Sequence, residues 1–204
     1  MTSQETASLE ILDRLSAQSK VIRRAAALAA GVPSSALTSL TLQGKLRRVG
    51  RGLYQLADSE GYEHPDLVEV ALQSPKGVIL LLSALSFHGV GTHPAREVWL
   101  QLPANFPAPR IVWPPVRVIR TRLEEAFTLG VETHEIAGHP VRITNLDRTI
   151  VDCFKHRSHV GLEVCLEALR ERMRDRQDSL QNLYHYARAM RVARVMQPYL
   201  EVLA

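Results

Sequence analysis

Between Lys20 and Leu56 the sequence contains no aspartate and no glutamate, while the same stretch carries Lys20, Arg23, Arg24, Lys45, Arg47, Arg48 and Arg51. The nearest acids are Asp13 before it and Asp58 after it. Cysteine is almost absent: Cys153 and Cys165 are the only two, which excludes a disulfide framework and reads as two buried free thiols in helical patterns. Apolar runs such as Val78–Leu82 fall far short of the ~20 residues needed to span a bilayer. The first residues, "MTSQETASLEILDRLSAQ", lack the apolar core of a secretion signal, so the expected location is cytoplasmic. Catalytic signatures are missing as well. There is no phosphate-binding glycine loop, no G-x-S-x-G elbow and no H-E-x-x-H, and no Gly-Ser followed by Asp-x-Asp of the nucleotidyltransferase kind.

What is present is a charge asymmetry. The 204 residues carry a net charge of +4. Residues 1–57 hold eight Lys/Arg against three Asp/Glu, and residues 58–204 hold seventeen against eighteen. The excess positive charge therefore belongs to the first quarter. A solvated basic face is the ordinary explanation of such a run, and the local pattern argues for something more specific.

Leu9, Leu12 and Leu15 with Ile11 give one apolar face to a helix over 8–18. An alanine-rich helix follows at 25–30, whose small side chains suit close helix packing, and Gly31 and Pro33 make a tight turn. Ser34 is the expected N-cap of a third helix reaching Gln43. Ala36, Leu37 and Leu40 face inward on it, with Ser34 at its start and Ser35, Thr38, Ser39 and either Thr41 or Gln43 on its outer face. "KLRRV", "GRG" and "LYQL" then spell strand, turn and strand, a wing. A short turn between two helices sets the second steeply enough to enter a major groove. Lys20, Arg23 and Arg24 beside the support helix, and Lys45, Arg47, Arg48 and Arg51 on the wing, supply cations for phosphates. The uncharged third helix is left to read bases with hydroxyls and amides.

Residues 1–57 thus read as a winged helix-turn-helix, 58–66 as a polar, turn-rich linker, and 67–204 as a second domain. In the latter, strands are expected at 98–102, 116–120, 132–136 and 140–144, and helices at 67–73, at 77–90 with a short strand as an alternative at its start, and at 146–155, 161–174, 180–190 and 192–203. Strands first and helices last make the whole an α+β protein, its C-terminal α/β domain ending in several helices.

A search for chemistry in this second part returns little. Cys153, His156, His159 and Cys165 are all zinc-competent residue types, but their spacing matches no standard ligand pairing. His88 reads as a helix-end cap. Asp147 sits in a first helical turn, and Asp152 lies five residues on, off its face. No catalytic residue, metal or cofactor is expected.

The blocks "GKLRRVGRGLYQL", "LSALSFHGVGTHPAREVWLQLP", "PPVRVIRTR", "ITNLDRTIVDCFKHRSHVGLEVCLEALRERMR" and "ARAMRVARVMQPYLEVL", in this order over nearly the full length, resemble the AbiEi family, antitoxins of type IV abortive-infection toxin–antitoxin systems. The resemblance implies a winged helix that binds inverted repeats upstream of its own operon, with two protomers meeting on the DNA, and a C-terminal domain that carries antitoxicity. The implied functional partner is an AbiEii-type nucleotidyltransferase toxin, countered without a stable complex; direct binding of the toxin is the alternative, favoured by the Leu- and Val-rich helices after Gly161. The family's DNA-binding positions fall on Ser34–Gln43 and Lys45–Arg51. The nearest antitoxicity positions are Arg148, Asp152, Lys155 and Arg157.

Overall fold

The computed structural model describes residues 3–111, 113–174 and 180–203. Helix α1 (Ser3–Gln18) leads into a two-residue strand β1 (Ile22–Arg23), then α2 (Arg24–Ala29), α3 (Ser34–Leu42) and the antiparallel hairpin β2 (Leu46–Gly50) and β3 (Leu53–Leu56). Strand β1, too short for any sequence periodicity, adds to the hairpin to give the order β1-β3-β2. A bulge between Arg48 and Gly50 bends β2 as it enters the turn. Leu12, Ala27, Val32, Leu37, Leu40 and Leu46 close a small core between the helices and this sheet.

Two local expectations are corrected. The residue before α3 with extended backbone is Pro33, so Ser34 is its first helical residue rather than its N-cap. The alanine-rich helix buries only Ala27, and Ala25, Ala26, Ala29 and Ala30 remain exposed.

The second part begins with α4 (Pro65–Gln73), β4 (Val78–Ile79), α5 (Leu81–Phe87), β5 (Val98–Pro103) and β6 (Val116–Thr121). A 3-10 turn (Glu124–Phe127) precedes the hairpin β7 (Val131–Ile136) and β8 (His139–Thr144). Five helices follow: α6 (Leu146–Lys155), α7 (Arg157–Val160), α8 (Leu162–Arg174), α9 (Gln181–Ala189) and α10 (Ala193–Leu203). The sheet order is β6-β5-β4-β8-β7, with β5–β6 and β4–β8 parallel and the other two pairings antiparallel.

Both faces of this sheet are covered. Strand β5 sends Val98, Leu100 and Leu102 into a core shared with α4, while Trp99 lies in the core of the helical layer. That layer packs Ile150, Phe154, Leu169, Leu183 and Met196 together. Among the described residues no helix is long and apolar enough to cross a membrane.

The N-terminal elements lean on the other face. Val21 and Leu53 belong to the α4-side core. The Ser19 hydroxyl lies 2.9 Å from the carbonyls of both Val21 and Ala137 and 2.8 Å from His139 Nε2. Gly138, at φ 79°, makes this junction possible. A Cβ there would meet the Gln18 carbonyl and Ser19 Cα, so the β7–β8 turn can approach α1 only without a side chain.

Candidate nucleic-acid interface

Helices α2 and α3 are joined by a turn in which Gly31 adopts φ 95° and the Val32 amide donates to the Ala27 carbonyl at 3.0 Å. Left-handed backbone of this kind is cheap only for glycine. Ala36, Leu37 and Leu40 are buried as the periodicity requires. Ser34, Ser35, Thr38, Leu42 and Gln43 are exposed, and Ser39 is half-buried.

The expected reading residues are not equally available. Ser39 Oγ donates to Glu5 Oε1 at 2.5 Å, and Gln43 Nε2 donates to the same oxygen at 3.0 Å. The amide of Gln43 also reaches Ser39 Oγ at 3.0 Å. A carboxylate from α1 thus clamps both. Ser34 Oγ accepts from Arg24 Nη2 at 2.8 Å, which joins the support helix to the start of α3. Thr38 Oγ1 donates back to the Ser34 carbonyl at 3.2 Å.

The cations divide by position. Arg48 and Arg51 are exposed on the hairpin; Arg48 Nε donates to the Gly50 carbonyl at 3.2 Å, and Arg51 has no hydrogen-bond or ion-pair partner among the described residues. Arg47 Nη2 donates to Gln55 Oε1 at 2.8 Å, and Lys45 is exposed at the start of the hairpin. Two cations turn toward the junction instead. Arg23 Nη2 donates to the Leu72 carbonyl of α4 at 3.2 Å, and Lys20 Nζ stands 4.0 Å from Glu60.

Sequence reasoning passed over two neighbours of the hairpin. Arg110 and Trp113, from the loop between β5 and β6, line one open groove with Arg48, Gly50 and Arg51. No local pattern links them, because the loop is about sixty residues away in the chain. Glu69 of α4 lines the same groove, and burial pushes its carboxyl up from the usual range.

The four positions considered for antitoxicity separate into pairs. Arg148 and Asp152 are 0% and 2% exposed, with Arg148 Nε 3.1 Å from Asp152 Oδ2. The two form a buried ion pair one helical turn apart on α6. The guanidinium donates to the Leu129 and Ala126 carbonyls, fastening the segment before β7 to α6. Burial raises the Asp152 carboxyl, opposed by Arg148. Lys155 is half-buried at the end of α6, and Arg157, the first residue of α7, is exposed, with its Nη1 donating to the Phe154 carbonyl at 3.1 Å.

The remaining sequence features resolve as packing. Both thiols are buried; burial pushes Cys153 well above its ordinary value and Cys165 up to about 12. Burial lowers His156 to about 4. Among the described residues no three His, Cys, Asp or Glu side chains are grouped to hold a metal ion. His88 does not cap its own helix: its Nε2 lies 2.8 Å from the Thr144 carbonyl, tying α5 to the end of β8. Asp147 accepts from Arg172 Nε at 2.7 Å, away from Asp152.

No curated protein matches the chain. Over residues 10–57, from within α1 through the hairpin, the chain matches the AbiEi_4 family model, described as transcriptional regulator, AbiEi antitoxin.

Proposed function

We propose that this protein is an antitoxin that also represses its own operon, with residues 1–57 as a winged helix-turn-helix on promoter DNA and residues 67–204 as the antitoxin domain. The observation that carries the DNA reading is the placement of Arg24, Arg48 and Arg51 at the surface around an uncharged, hydroxyl-bearing α3, in a stretch with no acid. Phosphates need exposed cations, and a major groove needs a helix with short side chains. Inverted repeats would be occupied by two protomers related by the symmetry of the site.

The test is binding of the full chain to a duplex from upstream of its own gene at several salt concentrations. Four to six phosphate contacts per protomer predict a log–log slope of about −4 to −5. A flat salt response overturns the reading.

The partner of the second domain is proposed to be a nucleotidyltransferase toxin of the AbiEii type. Of the four positions considered, Lys155 and Arg157 are the ones a toxin or nucleic acid can reach directly. Their replacement by alanine is expected to weaken protection in cells with no change in thermal stability. Separate elution of the two proteins on a sizing column, with protection retained, supports indirect action; co-elution supports direct neutralisation.

A further inference from the structure

With Ser39 and Gln43 clamped by Glu5, and Ser34 bonded to Arg24, the outward chemistry of α3 is reduced to Ser35, Thr38 and Leu42. Their spacing of three and four residues puts them on one stripe of the helix. Thr38 has its hydroxyl proton directed at the Ser34 carbonyl, so the stripe's free donor is Ser35. Leu42, the last residue of α3, is 85% exposed.

A single exposed leucine on a protein surface needs no explanation by itself. This one continues the stripe that the DNA reading aims at a groove, inside a span of seven cations and no acid. The occupant favoured by that charge is a polyanion rather than a second apolar surface. Among the base edges of a major groove the one apolar group is the C5-methyl of thymine.

We infer that Leu42, with the Thr38 methyl beside it, is an apolar reading edge that selects thymine by its C5-methyl. This rests on the DNA-binding reading above and adds its specificity. The half-site is then defined by where methyl groups stand opposite the C-terminal turn of α3, and Ser35 reads a neighbouring base edge. No charge takes part, so recognition by this edge is independent of salt while the arginines supply the salt-dependent affinity.

The test uses the full chain and two versions of the upstream duplex, one with thymine and one with deoxyuridine, which keeps pairing and charge and removes only the methyl. The expected result is a wild-type preference for thymine of about four-fold for each methyl contacted. Leu42→Ala should lose that preference, bind both duplexes as the wild type binds deoxyuridine, and keep the salt slope. Its exposure predicts an unchanged melting temperature, which serves as the folding control. Equal wild-type affinity for both duplexes, with a steep salt slope, overturns the inference and leaves the DNA reading standing. Preference retained in Leu42→Ala overturns the role of Leu42. Altered self-association of Leu42→Ala, with the thymine preference intact, assigns the side chain to a contact between copies and overturns it too. No salt-dependent binding to either duplex removes the reading on which it rests.

Discussion

Arg48 and Arg51 sit on an exposed hairpin, one bonded to a backbone carbonyl and the other with no hydrogen-bond or ion-pair partner among the described residues, whereas Arg148 and Arg172 are buried in the helical layer against Asp152 and Asp147. The side chain is the same and its consequence is opposite. A guanidinium taken out of water must be matched by a carboxylate and by carbonyls, and it is then committed to the fold. A guanidinium left in water with no carboxylate paired to it contributes almost nothing to folding, and its charge remains available to a partner. The hairpin therefore keeps Arg48 and Arg51 at the surface, and the helical layer commits Arg148 and Arg172 to packing.

The sharpest way to break this contrast is to remove one half of the buried pair. Asp152→Ala leaves Arg148 without a counter-charge in a site that water does not reach. The expected loss is about 3–5 kcal/mol, read as a melting-temperature drop on the order of 10 °C. Replacing both, as Arg148→Met with Asp152→Leu, should recover much of it, because apolar groups of similar volume need no partner. A loss near zero for Asp152→Ala would mean the pair is not part of what holds α6 to the segment before β7. The same experiment clarifies antitoxicity: a defect in Asp152→Ala that tracks its stability is a folding defect.

The corresponding change in the first region should behave in reverse. Arg48→Ala with Arg51→Ala is expected to leave stability within ~0.5 kcal/mol and to make the DNA salt slope shallower by about 2. Affinity should fall for all sequences alike, since phosphate contacts carry no base information. Trp113 gives an independent reading. It is 68% exposed in the groove beside Arg51, and Trp99 is 2% exposed, so quenching by acrylamide reports mainly on Trp113. A duplex seated along the hairpin should protect it; unchanged quenching on saturation with DNA would place the nucleic acid elsewhere.

Much of this architecture is legible in local pattern. The hairpins at 46–56 and 131–144, the strands of the proline-flanked middle and the C-terminal helices follow from periodicity and turn residues. What stays hidden are contacts made across long stretches of chain. Nothing near Ser39 announces that Glu5, 34 residues earlier, will take its hydroxyl, nor near Ser19 that the turn at Ala137 will close on it. Helix α6 hides its character for a different reason. Residues 147–154 are all buried, so Asp147, Arg148 and Asp152 look like surface or site residues in sequence yet serve as internal ion pairs. Burial on every side of a helix leaves no polar face to betray it. His88 misleads in the same way: a histidine at a helix end can bond its own turn or, as here, the end of a strand 56 residues away.

The smallest expected effect tests a place where the first region departs from its own pattern, since Glu5 brings an acid onto the α3 face. It has two separable properties, a charge and an acceptor oxygen. Glu5→Gln removes the charge and keeps an oxygen for Ser39 and Gln43. It should raise affinity for the upstream duplex and for a scrambled one by the same factor, about two- to five-fold at low salt, the range of an exposed charge interaction, and less as salt rises. Glu5→Ala removes both properties. It should raise both affinities similarly and also change their ratio, because Ser39 and Gln43 become free to donate to base edges. If the ratio holds in Glu5→Ala, the two side chains do not reach the bases even when released, and specificity lies with the Ser35, Thr38 and Leu42 stripe. If the ratio changes, the clamp is itself a specificity device: α1 sets which residues of α3 read DNA by occupying the ones that do not.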